Sequence, residues 1–148
     1  MERPTTPWVG SVVLVVAVVA VVAAIARRGA DDVTFCQAVL KGLANANQAI
    51  QRKVDWERLK AMGVDVGATY TKLANERERS GYRRAFINSF SENFYRARGD
   101  LEAFRRWRVE ERADGRIVVA ADYEGRHRTL LLSLPASGRK QVVEIQWQ

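Results

Sequence analysis

The sequence predicts an α+β protein: an N-terminal transmembrane helix, followed by helices packed on a curved antiparallel sheet of about four strands. Three observations predict it. An uncharged run, WVGSVVLVVAVVAVVAAIA, fills Trp8–Ala26 and stops at Arg27-Arg28. Apolar residues then recur at three- and four-residue steps as far as Gly99. Beyond Arg106 the period falls to two, with short turn signals between the runs. The chain accordingly divides into a short tail (1–7), the transmembrane helix (8–26), a polar joint (27–32) and one folded domain (33–148).

Nineteen residues at about 1.5 Å rise each reach roughly 28 Å, close to the hydrocarbon thickness of a bilayer. Eleven of them are Val, Leu or Ile, which favours insertion, and lipid forces even a valine-rich backbone into a helix. Ala24-Ile25-Ala26 also fits the A-x-A site of a cleaved secretory signal. The near-neutral start and the length of the run favour a retained single-pass anchor. Arg27, Arg28 and Lys41 follow the run, which leans the folded domain toward the cytoplasmic side. Tethered exported domains share this layout, so the side stays open.

About 120 residues remain after the run, enough for one domain with its own core. The net charge of +7 falls on that part, because Glu2 and Arg3 cancel. A basic surplus suits anionic headgroups or an acidic partner; nucleic acid is not expected, since no nucleic-acid motif accompanies it. Cys36 is the one cysteine, so neither an intrachain disulfide nor a cysteine zinc site can form. With a single histidine, no H-E-x-x-H and no phosphate-cradling glycine loop, no metal or cofactor is expected.

Thr34 with Gln37 suits a capping box, and Phe35, Cys36, Val39, Leu40, Leu43 and Ile50 mark an amphipathic helix to about Lys53. Asp55 would cap a second helix, WERLKAM, ended by Gly63. A third begins at Asp65 or Val66 and breaks near Ser80-Gly81. A fourth carries Tyr82, Phe86, Phe90 and Phe94 four residues apart, and Gly99 closes it. Strands follow at Arg106–Glu111, Arg116–Tyr123, Arg126–Leu134 and Lys140–Gln148. With Glu124-Gly125 as a two-residue turn, Val119 pairs Leu130, Ile117 pairs Leu132, and Asp122 faces His127.

Helices leading into WRVEERADGRIVVAADYEGRHRTLLLSLPASGRKQVVEIQW resemble the nuclear-transport-factor-2-like superfamily over roughly residues 31–148, on element order and the closing V-x-x-I-x-W phrase. The resemblance implies a cone-shaped α+β domain. That superfamily includes enzymes, small-ligand binders and membrane-anchored assembly modules, such as the bitopic inner-membrane component of type IV secretion systems. A fold does not choose among these.

Three groups of residues are candidate sites. Tyr82, Phe86, Phe90 and Phe94, with Trp107 and Trp147, would line an apolar pocket or fill the core. Asp122 and His127 would form an acid–base pair or a surface ion pair. Arginine is dense over 77–84 and 96–108; Arg105, Arg106 and Arg108 would make a basic patch, or an ion-paired face given the interleaved glutamates. Trp56 is a possible docking residue and Cys36 a buried small hydrophobe. The function expected is a membrane-anchored, non-enzymatic binding or assembly module, with a protein partner or self-association at the membrane. The alternatives are a small-molecule-binding or enzymatic cone domain, and a sensor of anionic lipid surfaces.

Overall fold

The computed structural model describes the chain from residue 8 onward and its side chains from Val15 onward. The expected tail over 1–7 lies outside the described residues. Helix α1 runs without a break over Trp8–Ala44. It passes through 27–32, where the sequence suggests a polar joint. The reason is Asp32. Its carboxylate is only 5% exposed and takes Arg112 Nη2 at 2.8 Å and Lys140 Nζ at 2.9 Å. This buried acid pairs with cations from two other parts of the chain, so the helix is pinned where a linker would swing.

The single-pass membrane location expected over Trp8–Ala26 is corrected. Among the described residues no helix is long and apolar enough to cross a membrane. The run whose side chains are described, Val15–Ala26, is roughly 18 Å long at the α-helical rise, and the charged residues Arg27, Arg28, Asp31 and Asp32 continue the same helix.

α1 ends in a Schellman motif. Asn47 N–H bonds the Gly42 carbonyl at 2.8 Å, Ala46 N–H bonds Leu43 at 3.2 Å, and Ala46 takes the left-handed turn at φ 52°. Asn47 then caps a 3₁₀ turn over Gln48–Lys53, which replaces the continuous helix expected to Lys53. The stretch expected as a second helix instead gives strand β1 (Lys60–Ala61), which pairs with β2 (Val64–Asp65) across Met62-Gly63, both at positive φ. Asp65 caps the short helix α2 (Val66–Tyr70), and Asn75 caps α3 (Glu76–Arg96). Glu78 accepts from Ala74 N–H at 2.9 Å, fixing the entry to α3. α3 continues through Ser80-Gly81, where a break is expected, and ends in a second Schellman motif with Arg98 at φ 57°.

The remaining strands are β3 (Phe104–Ala113), β4 (Arg116–Tyr123), β5 (Arg128–Pro135) and β6 (Glu144–Trp147). The sheet has six strands in the order β2-β1-β6-β5-β4-β3, with β1 parallel to β6 and the other pairs antiparallel. The four-strand meander expected from the sequence is thus extended by a two-strand ribbon. The β4–β5 connection is Glu124–His127, two residues longer than expected, so Val119 pairs Leu132 and Ile117 pairs Leu134. A shift of two leaves every side chain on its expected face. Ile117, Val119 and Ala121 join Leu130, Leu132, Leu134 and Ile145 beneath Val39, Leu43 and Ile87 of the helices. The cysteine of α1 lies in the same layer. Burial pushes the Cys36 thiol up to about 12, so it stays a protonated packing group.

β3 carries two bulges, between Arg105 and Arg108 and between Val109 and Glu111. In a regular strand Phe104 and Trp107, three apart, would point to opposite faces. The first bulge inserts Arg106 at φ 52° and puts both rings on the core face. The second lets Arg112, three residues after Val109, share that face and reach Asp32. Both bulges also bend the edge strand.

Candidate functional site: an apolar cavity at one end of the sheet

The core is not filled where α3 ends. A cavity of about 350 Å³ lies among Phe90, Phe94, Phe104, Tyr123, Leu130 and Trp147. That is within the range of small-ligand sites, at its lower end. Leu40 of α1 and Met62 of the β1–β2 turn contribute to its wall, and Asn93, Ala97, Gly99, Arg126 and Arg128 complete the lining.

Each wall has a local cause. Gly99 follows the left-handed Arg98, and a Cβ there would sit 2.6 Å from the Phe94 ring, so only glycine allows this ring its position. Phe104 is the hub. Its ring stacks on Trp147 (5.8 Å, 24°), meets Tyr123 edge-on at 4.9 Å, and lies 6.5 Å from Phe94 and 6.1 Å from Trp107. Tyr123 also meets Trp147 edge-on at 6.0 Å and donates no bond into the cavity; its hydroxyl accepts from Asp100 N–H at 3.0 Å.

Of the six aromatic residues singled out by spacing, Phe90, Phe94 and Trp147 line the cavity. Tyr82 and Phe86 pack farther along α3, against Tyr70 (6.1 Å) and edge-on against Trp56 (5.4 Å). Trp107 stands behind Phe104. Trp56 is 6% exposed and donates its indole N–H to the Gln51 carbonyl at 2.9 Å, so it is a core residue and no docking surface. Sequence reasoning missed Phe104, Tyr123, Met62, Leu130, Arg126 and Arg128. Tyr123 and Leu130 were legible as inward-facing strand residues; Phe104 lies two residues before the start expected for its strand, Arg106, and the bulge at Arg106 hides the face it shares with Trp107.

Asp122 and His127 are not brought together as a pair. The longer connection sets Asp122 opposite Thr129, whose hydroxyl donates to it at 3.1 Å, and leaves His127 in the turn at φ 48°, exposed. Asp122 lies on the sheet face away from the cavity and binds Arg106 at 2.6 Å and Arg108 at 3.2 Å. Partial removal from water pushes its pKa up. The bonds from Thr129 and Arg108 and the nearby charges of Arg108 and Arg106 outweigh this, so the carboxyl lies below the usual aspartate range. The basic patch is paired in the same way: Arg105 lies 3.5 Å from Glu124, and Arg108 also takes Glu110 at 2.7 Å. Arg83 is held inside the helical layer by Tyr70 (2.6 Å), Gln51 (2.9 Å) and Glu76 (2.6 Å), and the Glu76 hydrogen bond raises its pKa. Among the described residues no group of three acids, histidines or cysteines is placed to hold a metal.

A folded-state pKa below the unfolded one contributes stability that is present above the unfolded value, near pH 4, and lost as pH falls through the folded value. The unfolding midpoint of the native protein should therefore fall more steeply below about pH 4 than that of Asp122→Asn. Urea titrations at pH 7 and pH 3 check this, and parallel pH dependences would show that the cluster contributes nothing.

Comparison with known proteins finds no matching family model, no matching curated protein and no matching solved structure. Fold and site together define an α+β domain with a mixed six-stranded sheet and an aromatic-walled cavity.

Proposed function

We propose that this chain is a non-enzymatic binding module that takes a small, largely apolar molecule into the cavity between α3 and the end of the sheet. The unfilled space beside Phe104 carries the reading. Close packing is the rule in protein interiors, so a ring-lined gap of this size among well-formed elements marks a place for a guest. The absence of a paired acid and base on the cavity wall favours binding over catalysis: Asp122 faces the other side, and Asn93 and the two arginines are the polar lining groups.

Titration of the full chain with N-phenyl-1-naphthylamine, a neutral apolar fluorophore, tests it. Saturable binding is expected, together with its loss in Ala97→Trp, which places an indole in the space from an exposed rim position. Equal binding by Ala97→Trp would place the dye elsewhere and remove the support.

A second reading, a module that binds a protein partner or itself, rests on α1. Val15, Val16, Val18, Val19, Val21, Val22 and Ile25 are each more than half exposed, and a contiguous apolar surface of that kind commonly marks an interaction site.

A further inference from the structure

The cavity is lined mostly by apolar side chains, and its charged lining is of one sign. Arg126 and Arg128 are its charged lining residues, and no acidic residue joins them. The arginines nearby on β3 each face a carboxylate: Arg105 has Glu124, Arg106 has Asp122, and Arg108 has Glu110 and Asp122. Among the described residues neither Arg126 nor Arg128 has a comparable ion pair.

Their placement follows from the backbone. Arg128 is the register partner of Tyr123 and lies two residues before Leu130, so it belongs to the core face of β5, at the point where that face reaches the cavity mouth. Arg126 stands in the β4–β5 connection. Its guanidinium lies 5.7 Å from the centre of the Tyr123 ring and donates Nη2 to the Ala97 carbonyl at 3.2 Å, which ties the connection to the end of α3. The contact uses one donor of the five on a guanidinium. Arg128 also borders the outer groove that holds Asp122 and Glu124, but those acids pair with Arg105, Arg106 and Arg108. Arg128 therefore stands at the rim as a cation without an ion pair among the described residues, and Arg126 as a second one already held in place.

We infer that the cavity accepts an anionic amphiphile, a molecule with an apolar body and one anionic head such as a carboxylate, the body among Phe90, Phe94, Phe104 and Trp147 and the head at Arg128 and Arg126. The inference rests on the proposed small-molecule reading and adds the class of ligand. A planar guanidinium matches a carboxylate in two-pronged geometry, and such charge-assisted bonds are stronger than neutral ones. The charge at the mouth selects the head, while the rings supply affinity without regard to charge.

Three probes separate the terms when each competes with N-phenyl-1-naphthylamine on the full chain at pH 7: decanoate, decanol and acetate. Decanoate should bind about tenfold more tightly than decanol, and acetate should not compete. Arg128→Leu should bring decanoate down to the affinity of decanol while leaving decanol unchanged, and Arg128→Lys should keep part of the preference. Equal binding of decanoate and decanol by the native protein would overturn the anionic head and leave the apolar pocket standing. Competition by acetate as strong as that of decanoate would overturn the role of the body. If the naphthylamine itself fails to bind, the pocket reading falls and this inference with it.

Discussion

Replacing Phe104 by alanine should lower the free energy of unfolding by about 3–5 kcal/mol, the range for a large aromatic side chain lost from a core. Phe104 is 5% exposed and touches the rings of Phe94, Trp107, Tyr123 and Trp147. Aromatic pairs of this geometry add about 0.5–1.5 kcal/mol each beyond the area they bury, so the loss should lie toward the upper part of that range. Collapse cannot offset much of it. The neighbouring space is already a cavity, and β3 and β4 are held together by the ladder from Arg105–Asp122 onward and, beyond Phe104–Tyr123, by the bond from Glu124 N–H to the Ala103 carbonyl at 2.8 Å. Denaturant unfolding measures the effect. Tyr95→Ala is the contrast, since that ring is 53% exposed and its hydroxyl bonds only Asn45 at the surface; its cost should stay below about 1 kcal/mol. Similar losses in the two variants would mean that Phe104 is not the hub of this end of the core.

The hidden position of Phe104 shows where sequence reading ends. Alternation locates β4 as Arg116–Tyr123 and places the inward set on it and on β5, because parity survives the two-residue error in the length of the turn. Bulges leave no such trace. Phe104 and Trp107 are three apart and read as opposite faces until Arg106 is known to take a left-handed conformation. Asp32 shows the same limit from another side: Gly29–Asp32 (GADD) has the composition of a joint, and only Arg112 and Lys140, far along the chain, pin its one buried residue and keep it helical. The ribbon of β1 and β2 is too short to show any period, and its pairing with β6 is long-range. The cavity was half legible. Helical spacing gives Phe90 and Phe94, but Gly99, the residue that lets the Phe94 ring lie where it does, acts through a contact that spacing cannot express.

Two glycine-to-alanine substitutions should move stability in opposite directions, and the pair isolates tertiary contact from helix propensity. Both glycines are helical, Gly67 in α2 and Gly81 inside α3. On propensity alone alanine should gain about 0.5–1 kcal/mol at a helical site. Gly81→Ala should show that gain, because nothing lies within 4 Å of the position its Cβ would take. At Gly67 the new methyl would overlap the carbonyl of Glu57 and come within 3.1 Å of Arg58 N. Neither side can give way easily. Gly67 N–H bonds the Leu59 carbonyl at 2.9 Å, Leu59 is fully buried, and the Gly67 carbonyl takes Thr71 N–H at 3.0 Å. The obstruction is backbone, not the end of a flexible side chain, so relief requires α2 to lift from the chain before β1. Gly67→Ala should therefore cost about 2–3 kcal/mol in spite of its better propensity. Urea midpoints of the two variants against the native chain read both signs, and a stabilised Gly67→Ala would show that α2 is not seated against the Glu57–Arg58 peptide.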